Sequence, residues 1–589
     1  MINQTRTLLV VALLFVAWLI WNQWQQDYAP HPAQATAQAT AQQAPASASS
    51  GTSEPAKAAP GEVPLANAPV PAGSSAVPAA KTAPAIPESA APSEATAPHQ
   101  YVTLSNDVLR LTIDTRGGSI VRADLLAYPK EVKGDTTPVR LLSDDPQRLF
   151  VAQDGLVGAN GSPAPDHLAM FGAGAPSYSL QSGSNEVTAV LTWHDASGIS
   201  VNKHYTLKRG SYVVELAQQI DNRSAQSWSG NAYEQIERVE PPAPPKHFLE
   251  FYDPERSSFL GAAWYSQSDK FEKLAFDKFE KDPLNREVQG GWIAMIQHYF
   301  FAAWIPPSAQ TDQFSSAQLP PAAGGKPRYI IRTRGPGATV APGKSATLNA
   351  ELYVGPKTQS TLSAVAPGLE LTVDYGIFTV IAQPLFWVLS KFHAFVGNWG
   401  IAIILLVLLI KALFFKLTEQ QYKAGAKMRK LTPKIQALKE RFGEDKQKQQ
   451  QAMMELYKKE KVNPLAGCLP SLVQIPVFFA LYYVLMYSVE LRHAPFFGWI
   501  HDLSAPDPYF ILPALYTITM IATQFLTPSP GMDPTQAKIM KVMPIVFAVM
   551  FAFFPAGLTL YYVVNGLTSV IQQWVITRSI ERADTKARA

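Results

Sequence analysis

Between Trp399 and Leu417 the chain offers a membrane-length apolar run with Lys411 inside it and Lys416 close to its end. Such a run reads as a transmembrane helix, and that reading constrains everything else the chain can be. An ionisable group inside a span is costly and by default marks a function. At about 1.5 Å per residue a continuous helix puts Lys411 roughly 18 Å from Trp399 and roughly 7 Å from Lys416. Two readings fit that depth. Lys411 is a lysine that snorkels its ammonium to the near interface, or it faces a wet cavity between helices.

Other apolar runs extend the pattern. Leu8–Trp21, flanked by Arg6 and Trp24, reads as an uncleaved signal-anchor rather than a cleaved leader, because Ala33-Gln34-Ala35 lies well past the apolar run. Pro464–Tyr487 is opened by Asn463 as N-cap with Pro464 at the first helical position. Tyr509–Leu526, Val542–Phe554 and Leu558–Ile576 follow, the last two separated by a tight Phe554–Gly557 turn. The expectation is six transmembrane helices with both termini on one side.

Charge orients them. The net charge of +4 is uneven: between Lys416 and Lys461 there are 13 Lys/Arg and 6 Asp/Glu, a net of +7, so the rest of the chain sums to −3 (4 − 7). The Val489–Pro508 loop carries Glu490, Asp502 and Asp507 against Arg492. Basic loops stay cytoplasmic, which predicts cytoplasmic termini and places the segment after the first span outside.

That outer segment has two textures. Residues 29–98 are rich in Ala, Pro, Ser, Thr and Gln and lack the apolar residues to build a core, so they read as a tether. From Tyr101 short alternating runs appear: Val108–Asp114, Asn185–Trp193, Ser200–Leu207, Ser211–Ile220, Trp292–Trp304, Tyr329–Arg332 and Ala346–Val354. Many short strands with Gly/Pro turns predict an all-β sandwich. Ile377, Ile381, Leu385, Val388, Phe392 and Phe395 then repeat at helical spacing opposite Ser390 and Lys391, which reads as an amphipathic helix in the membrane interface.

The basic loop has a stripe of its own. Met428, Leu431, Ile435, Leu438 and Phe442 step by helical intervals, Gly443 breaks them, and Met453, Met454 and Tyr457 form the apolar side of a second helix. This predicts a helical hairpin, with Thr432-Pro433 starting or kinking its first arm. Its cations Lys427, Arg429, Lys434, Lys439 and Arg441 form either a solvated face drawn to anionic lipid or a docking surface for a partner.

Reaction chemistry is sparse. The chain has no GxxxxGK[ST], HExxH or GxSxG pattern. A single cysteine, Cys468, excludes an intrachain disulfide and a cysteine metal site. Glu234, Glu237 and Glu240 near His247 read as charges on a solvated strand edge or loop, and His298 as a structural histidine in a strand-like run. The spans offer more: Gln474, Tyr482, Tyr483, Thr517, Gln524, Tyr561, Tyr562, Asn565 and Gln572 are polar or amphipathic, and Pro470 and Pro476 free backbone carbonyls within one helix. Singly these are interhelical hydrogen-bond partners; as a set with Lys411 they suit a half-wet cleft.

Ordered segments carry a resemblance. They are Phe395–Gly400, Ala426-Lys-Met428, Pro433–Gln436, Glu460–Leu465, Gly467–Pro470, Gln474-Ile-Pro476, Ala480–Tyr483, Trp499–Ser504, Asp507-Pro-Tyr509 and Leu560-Tyr-Tyr562, with Arg116-Gly-Gly118 and Gly290–Met295 in the β region. The chain resembles the YidC/Oxa/Alb membrane protein insertases, of the Gram-negative type with a large periplasmic domain. The resemblance implies a multi-domain inner-membrane protein, an all-β supersandwich joined to an α-helical polytopic core. Its expected divisions are a signal-anchor (1–28), a linker (29–98), a periplasmic β domain (99–360), an interfacial helix (375–397), a second span (398–418), a cytoplasmic hairpin (419–462), four further spans (463–577) and a cytoplasmic tail (578–589).

The resemblance further implies a substrate groove, open to cytoplasm and lipid, lined by Lys411, Gln474, Pro476, Tyr482, Thr517, Gln524, Tyr561, Tyr562 and Asn565. The family places an arginine where this chain has Lys411, which keeps the charge but loses the planar fork of donors. Implied partners are nascent membrane proteins, the Sec translocon, the ribosome, the signal-recognition-particle receptor and lipids. No enzyme activity, cofactor, metal or specific nucleic-acid binding is expected. Two other readings remain open: a polytopic solute transporter or channel, which predicts inverted repeats, and an anchored periplasmic sugar-binding protein or enzyme.

Overall fold

A computed structural model describes residues 99–132, 134, 136–242, 258–321, 325–443, 445–460, 469–526 and 534–588. The expected anchor and linker, His247, Cys468 and the Asn463-Pro464 helix start lie outside the described residues.

Among the described residues, alternation in the sequence becomes two facing sheets, one of ten strands and one of nine. Ile199–Lys208 shows how: Ile199, Val201, Lys203, Tyr205 and Leu207 point inward and the residues between them outward. Leu104, Leu109, Leu111, Ile113 and Ile236 of the ten-stranded sheet meet Tyr205, Leu207, Val214 and Leu216 of the nine-stranded sheet in one buried core. Among the described residues neighbouring strands are antiparallel except Tyr101–Ser105, which runs parallel to Ser177–Ser179.

Two strand expectations need correction. Trp292–Trp304 is not one strand but a hairpin, Trp292–Ile296 paired with Phe300–Ile305, and His298 sits in its turn. Every residue of Trp292–Ile296 is buried, because the sheet's second face is covered here by helices, so the period of two is lost. Glu234 and Glu237 do not lie on a solvated edge or loop. Their strand, Trp228–Val239, runs between Phe150–Gly158 and Arg328–Val340, and the two carboxylates are 5% and 2% exposed; only Glu240, just beyond the strand, is exposed. Glu237 accepts from Arg328 Nη1 at 2.8 Å. Burial, with Asp312 and Asp154 nearby, pushes the Glu234 carboxyl well above the usual carboxylate range.

The helical part begins with α1 (Gln359–Val365) and α2 (Thr379–Val396), then α3 (Trp399–Leu413), α4 (Phe415–Phe442) and α5 (Lys446–Lys459). It continues with α6 (Leu469–Tyr487), α7 (Ile511–Leu526), α8 (Pro534–Phe551) and α9 (Ala556–Arg588). Gly397, at φ +67°, ends α2, and the Asn398 side chain caps α3 by accepting from Ile401 N at 3.0 Å. The helices share a core with the sheet: Trp292, Phe301 and Tyr353 pack in one cluster with Phe386, Leu406, Leu485 and Tyr561.

Among the described residues, Gly376–Val396 alone is long and apolar enough to cross a membrane by itself. That stretch includes the helix read from sequence as interfacial; Ile377, Val380, Trp387 and Phe395 on it are exposed. The pair α3 and α4 passes the same test together but bends by 65° between them. A straight helix from Trp399 through Lys416 therefore does not form. Lys411 lies in the last turn of α3, and Pro433 lies within α4 rather than opening it.

Arms α4 and α5 meet through Leu431 and Ile435 packed on Met428, Met453, Leu456 and Tyr457. Met454 faces outward instead, and Leu456 takes the inner place.

Candidate functional site

An apolar helix face with one cation needs a polar neighbour, and α9 supplies it. The Lys411 ammonium, on a residue 8% exposed, donates to Ser569 Oγ at 2.7 Å. Ser569 Oγ in turn donates to the Asn565 carbonyl one turn back, at 2.7 Å. Asn565 Oδ1 accepts from Gln474 Nε2 of α6 at 3.4 Å. Tyr422 of α4 donates to the Ser569 carbonyl at 3.3 Å. Three helices thus converge on one turn of α9.

Toward the other end of α9 the polar turn gives way to aromatic rings. Tyr561 is 3% exposed and Tyr562 half-buried. The Tyr562 ring lies 4.4 Å from Phe551, 5.1 Å from Tyr516 and 5.3 Å from Phe478 between centroids. Tyr482 meets Phe554 edge-on at 6.5 Å. Pro476 and Gln524 are half-buried on α6 and α7. Thr517 returns its hydroxyl to its own helix, donating to the Pro513 carbonyl at 2.8 Å. The structure therefore joins Lys411, Gln474 and Asn565 in one hydrogen-bonded group, with Tyr561 and Tyr562 further along the same helix; Thr517 is not part of it.

Sequence reasoning missed Ser569, Tyr516 and the Thr519–Gly566 contact. A Cβ on Gly566 would lie 2.4 Å from Thr519 Oγ1, so the glycine permits the close approach of α7 and α9. Ser569 was findable: it follows Asn565 by four residues and so shares its face.

The hairpin cations divide. Lys427 and Arg441 are exposed. Lys434 pairs with Glu460 at 2.6 Å and ties the two arms. Arg429 turns inward and donates to the Leu526 carbonyl at the end of α7, which Gln573 Nε2 also reaches at 2.9 Å. The Lys439 side chain lies outside the described residues.

A second concave place lies in the β region, a cleft of about 610 Å³ lined by His204, Glu215, Asn349 and Glu351 among others. Burial and the neighbouring Glu215 raise the Glu351 carboxyl. Among the described residues no cluster of His, Cys, Asp and Glu is arranged to hold a metal.

A two-sheet β domain packed onto helices with broad exposed apolar faces, one of them membrane-length among the described residues, fits the class of integral membrane proteins with a large extramembrane domain. Residues 101–388 match the family described as YidC periplasmic domain, and residues 391–584 that described as 60Kd inner membrane protein. The chain is 44% identical over 590 residues to the membrane protein insertase YidC of Thioalkalivibrio sulfidiphilus, covering 99% of this chain and 100% of that one. It is 45% identical over 574 residues to the same-named protein of Methylococcus capsulatus, covering 96% and 97%.

The chain belongs to the YidC family of membrane protein insertases. Among solved structures, an active YidC insertase with its first transmembrane domain resolved gives a TM-score of 0.36 at 17% identity, over 81% of this chain and 92% of that one. A galactose mutarotase related enzyme from Lactobacillus acidophilus gives 0.31 at 12%, over 43% and 97%. Likenesses at that level carry no functional weight.

Proposed function

We propose that this insertase moves newly made membrane proteins through a hydrophilic groove centred on Lys411 and opening to cytoplasm and lipid. The observation that carries the groove is a nearly buried ammonium on an apolar helix, held by a hydroxyl and, among the described residues, paired with no carboxylate. A cation so placed attracts the acidic residues of a client's short polar tail. Meanwhile the client's apolar segment slides along α6 and α9, past Pro476, Tyr482, Tyr561 and Tyr562. Partition of that segment into lipid supplies the driving force, so no nucleotide, metal or cofactor enters the step.

In this reading the chain crosses the inner membrane six times, with its termini and the α4–α5 hairpin cytoplasmic and the β domain periplasmic. Its divisions are those expected from the sequence, with residues 99–360 as the β domain and 419–462 as the hairpin. The charge asymmetry of the loops supports the orientation. Lys427 and Arg441 are exposed hairpin cations open to docking by a ribosome, the signal-recognition-particle receptor or anionic lipid, and the Sec translocon is a further partner.

The test is reconstitution. Purified protein in liposomes, given a single-span client, is expected to render the client's tail protease-resistant without nucleotide and without dissipating an ion gradient. Flux without insertion would overturn the proposal in favour of a transporter or channel.

A further inference from the structure

Ser569 is the one side chain among the described residues that grips Lys411, and it has both halves of a hydroxyl engaged. An ammonium only donates, so Ser569 Oγ accepts from it; the serine proton goes to the Asn565 carbonyl. That back-bond fixes the direction of the oxygen's lone pairs. Neighbouring Thr568 shows the ordinary alternative: its hydroxyl is directed only to its own helix, at the Val564 and Asn565 carbonyls. The turn carrying Ser569 is itself held from outside, by Tyr422 at the Ser569 carbonyl and by Gln474 at the Asn565 side chain.

We infer that Ser569 is a positioning residue for insertion: it holds the Lys411 ammonium at the α3–α9 seam, leaving two of its three N–H groups for a client's carboxylate. The inference rests on the groove reading above. Its physical need is clear from what surrounds Lys411. Leu413 and Phe415 are exposed and the Lys416 side chain is 87% exposed just past the bend, so an unanchored four-carbon stem would swing toward that end. Ser569 opposes this and keeps positive charge beside the polar turn of α9. It touches the cation rather than the client, and so acts through Lys411.

The experiment compares two single-span clients in the reconstituted full chain, identical except that the translocated tail carries two aspartates in one and two asparagines in the other. The reading is the ratio of aspartate-tail to asparagine-tail insertion. Ser569→Ala is expected to lower that ratio about three- to tenfold, the scale of one ordinary net hydrogen bond, and Ser569→Thr to restore it. An equal loss for both tails, or an unchanged ratio, would overturn the inference, since a merely structural serine does not distinguish tails. If Ser569→Ala fails to accumulate, Ser569→Cys is measured in its place, and its ratio is read against the same outcomes. Lys411→Met separates the two levels. If it leaves the ratio unchanged, the groove reading itself fails; if it collapses the ratio while Ser569→Ala does not, only the role of Ser569 fails.

Discussion

Lys203 and Asp154 show what a single pair of side chains can impose on a sandwich. Both are fully buried between the sheets, 2.6 Å apart. Asp154 also accepts from the Tyr205 hydroxyl at 2.6 Å, and Lys203 donates to the Gly117 carbonyl at 2.8 Å. Burial pulls the Lys203 ammonium below its usual range, and Asp154 opposes that pull. The pair pins the turn at Arg116-Gly-Gly118, where Gly117 has φ +78° and a Cβ would lie 2.1 Å from the His167 carbonyl. Removing one partner leaves an uncompensated buried charge, so Lys203→Met is expected to destabilise the β domain by about 3–5 kcal/mol. Lys203→Met with Asp154→Leu is expected to recover most of it. Thermal melts of the full chain in detergent check both.

At the scale of elements, the seam between the β domain and the end of α6 carries a titratable latch. His298 Nε2 lies 3.1 Å from the Met486 carbonyl, and burial drives the imidazole down to about 3, so it stays neutral. Arg492 donates to the Pro129 and Lys130 carbonyls at 3.0 and 3.2 Å. Glu490 accepts from Gln359 N at 3.1 Å through one oxygen, and burial pushes its carboxyl up to about 7. A carboxyl raised above its unfolded value favours the folded state below the unfolded pKa, and that contribution is lost as pH rises through about 7. Glu490→Gln is therefore expected to raise the melting temperature at pH 8 and leave it nearly unchanged at pH 4. The gain is at most about 3 kcal/mol. A second latch is steric: Gly566→Leu is expected to part α7 from α9 at Thr519, costing about 1–3 kcal/mol, which the same melts would report.

These elements also show what the sequence conveyed. Strands such as Ile199–Lys208 were legible because one face is apolar and the other polar. Trp292–Ile296 was not, because helices cover its second face and erase the alternation. Glu234 and Glu237 read as solvent groups because their partner and neighbours come from distant strands, at Arg328, Asp312 and Asp154. The bend after Leu413 has no proline or glycine to announce it. Lys411 is marked by the apolar run around it, whereas Ser569 is marked only by the helix face it shares with Asn565, and the fold alone sets it against the ammonium.

Across the described residues, the β domain and the α3–α9 group are coupled through shared packing, and the hairpin is joined to them by a hydrogen bond. The cluster that includes Trp292 and Tyr353 also includes Leu485 and Tyr561, and Arg429 ties α4 to the end of α7. The central claim is that clients pass along α6 and α9 beside a charged groove. It is tested most directly by placing a photoreactive residue at Tyr562 and presenting ribosome-bound chains of a small membrane protein with an acidic tail. The account predicts crosslinks to the client's apolar segment, reduced severalfold by Lys411→Glu. Crosslinks indifferent to Lys411→Glu would contradict the role of that charge, and no crosslinks from a well-inserted protein would contradict the path itself.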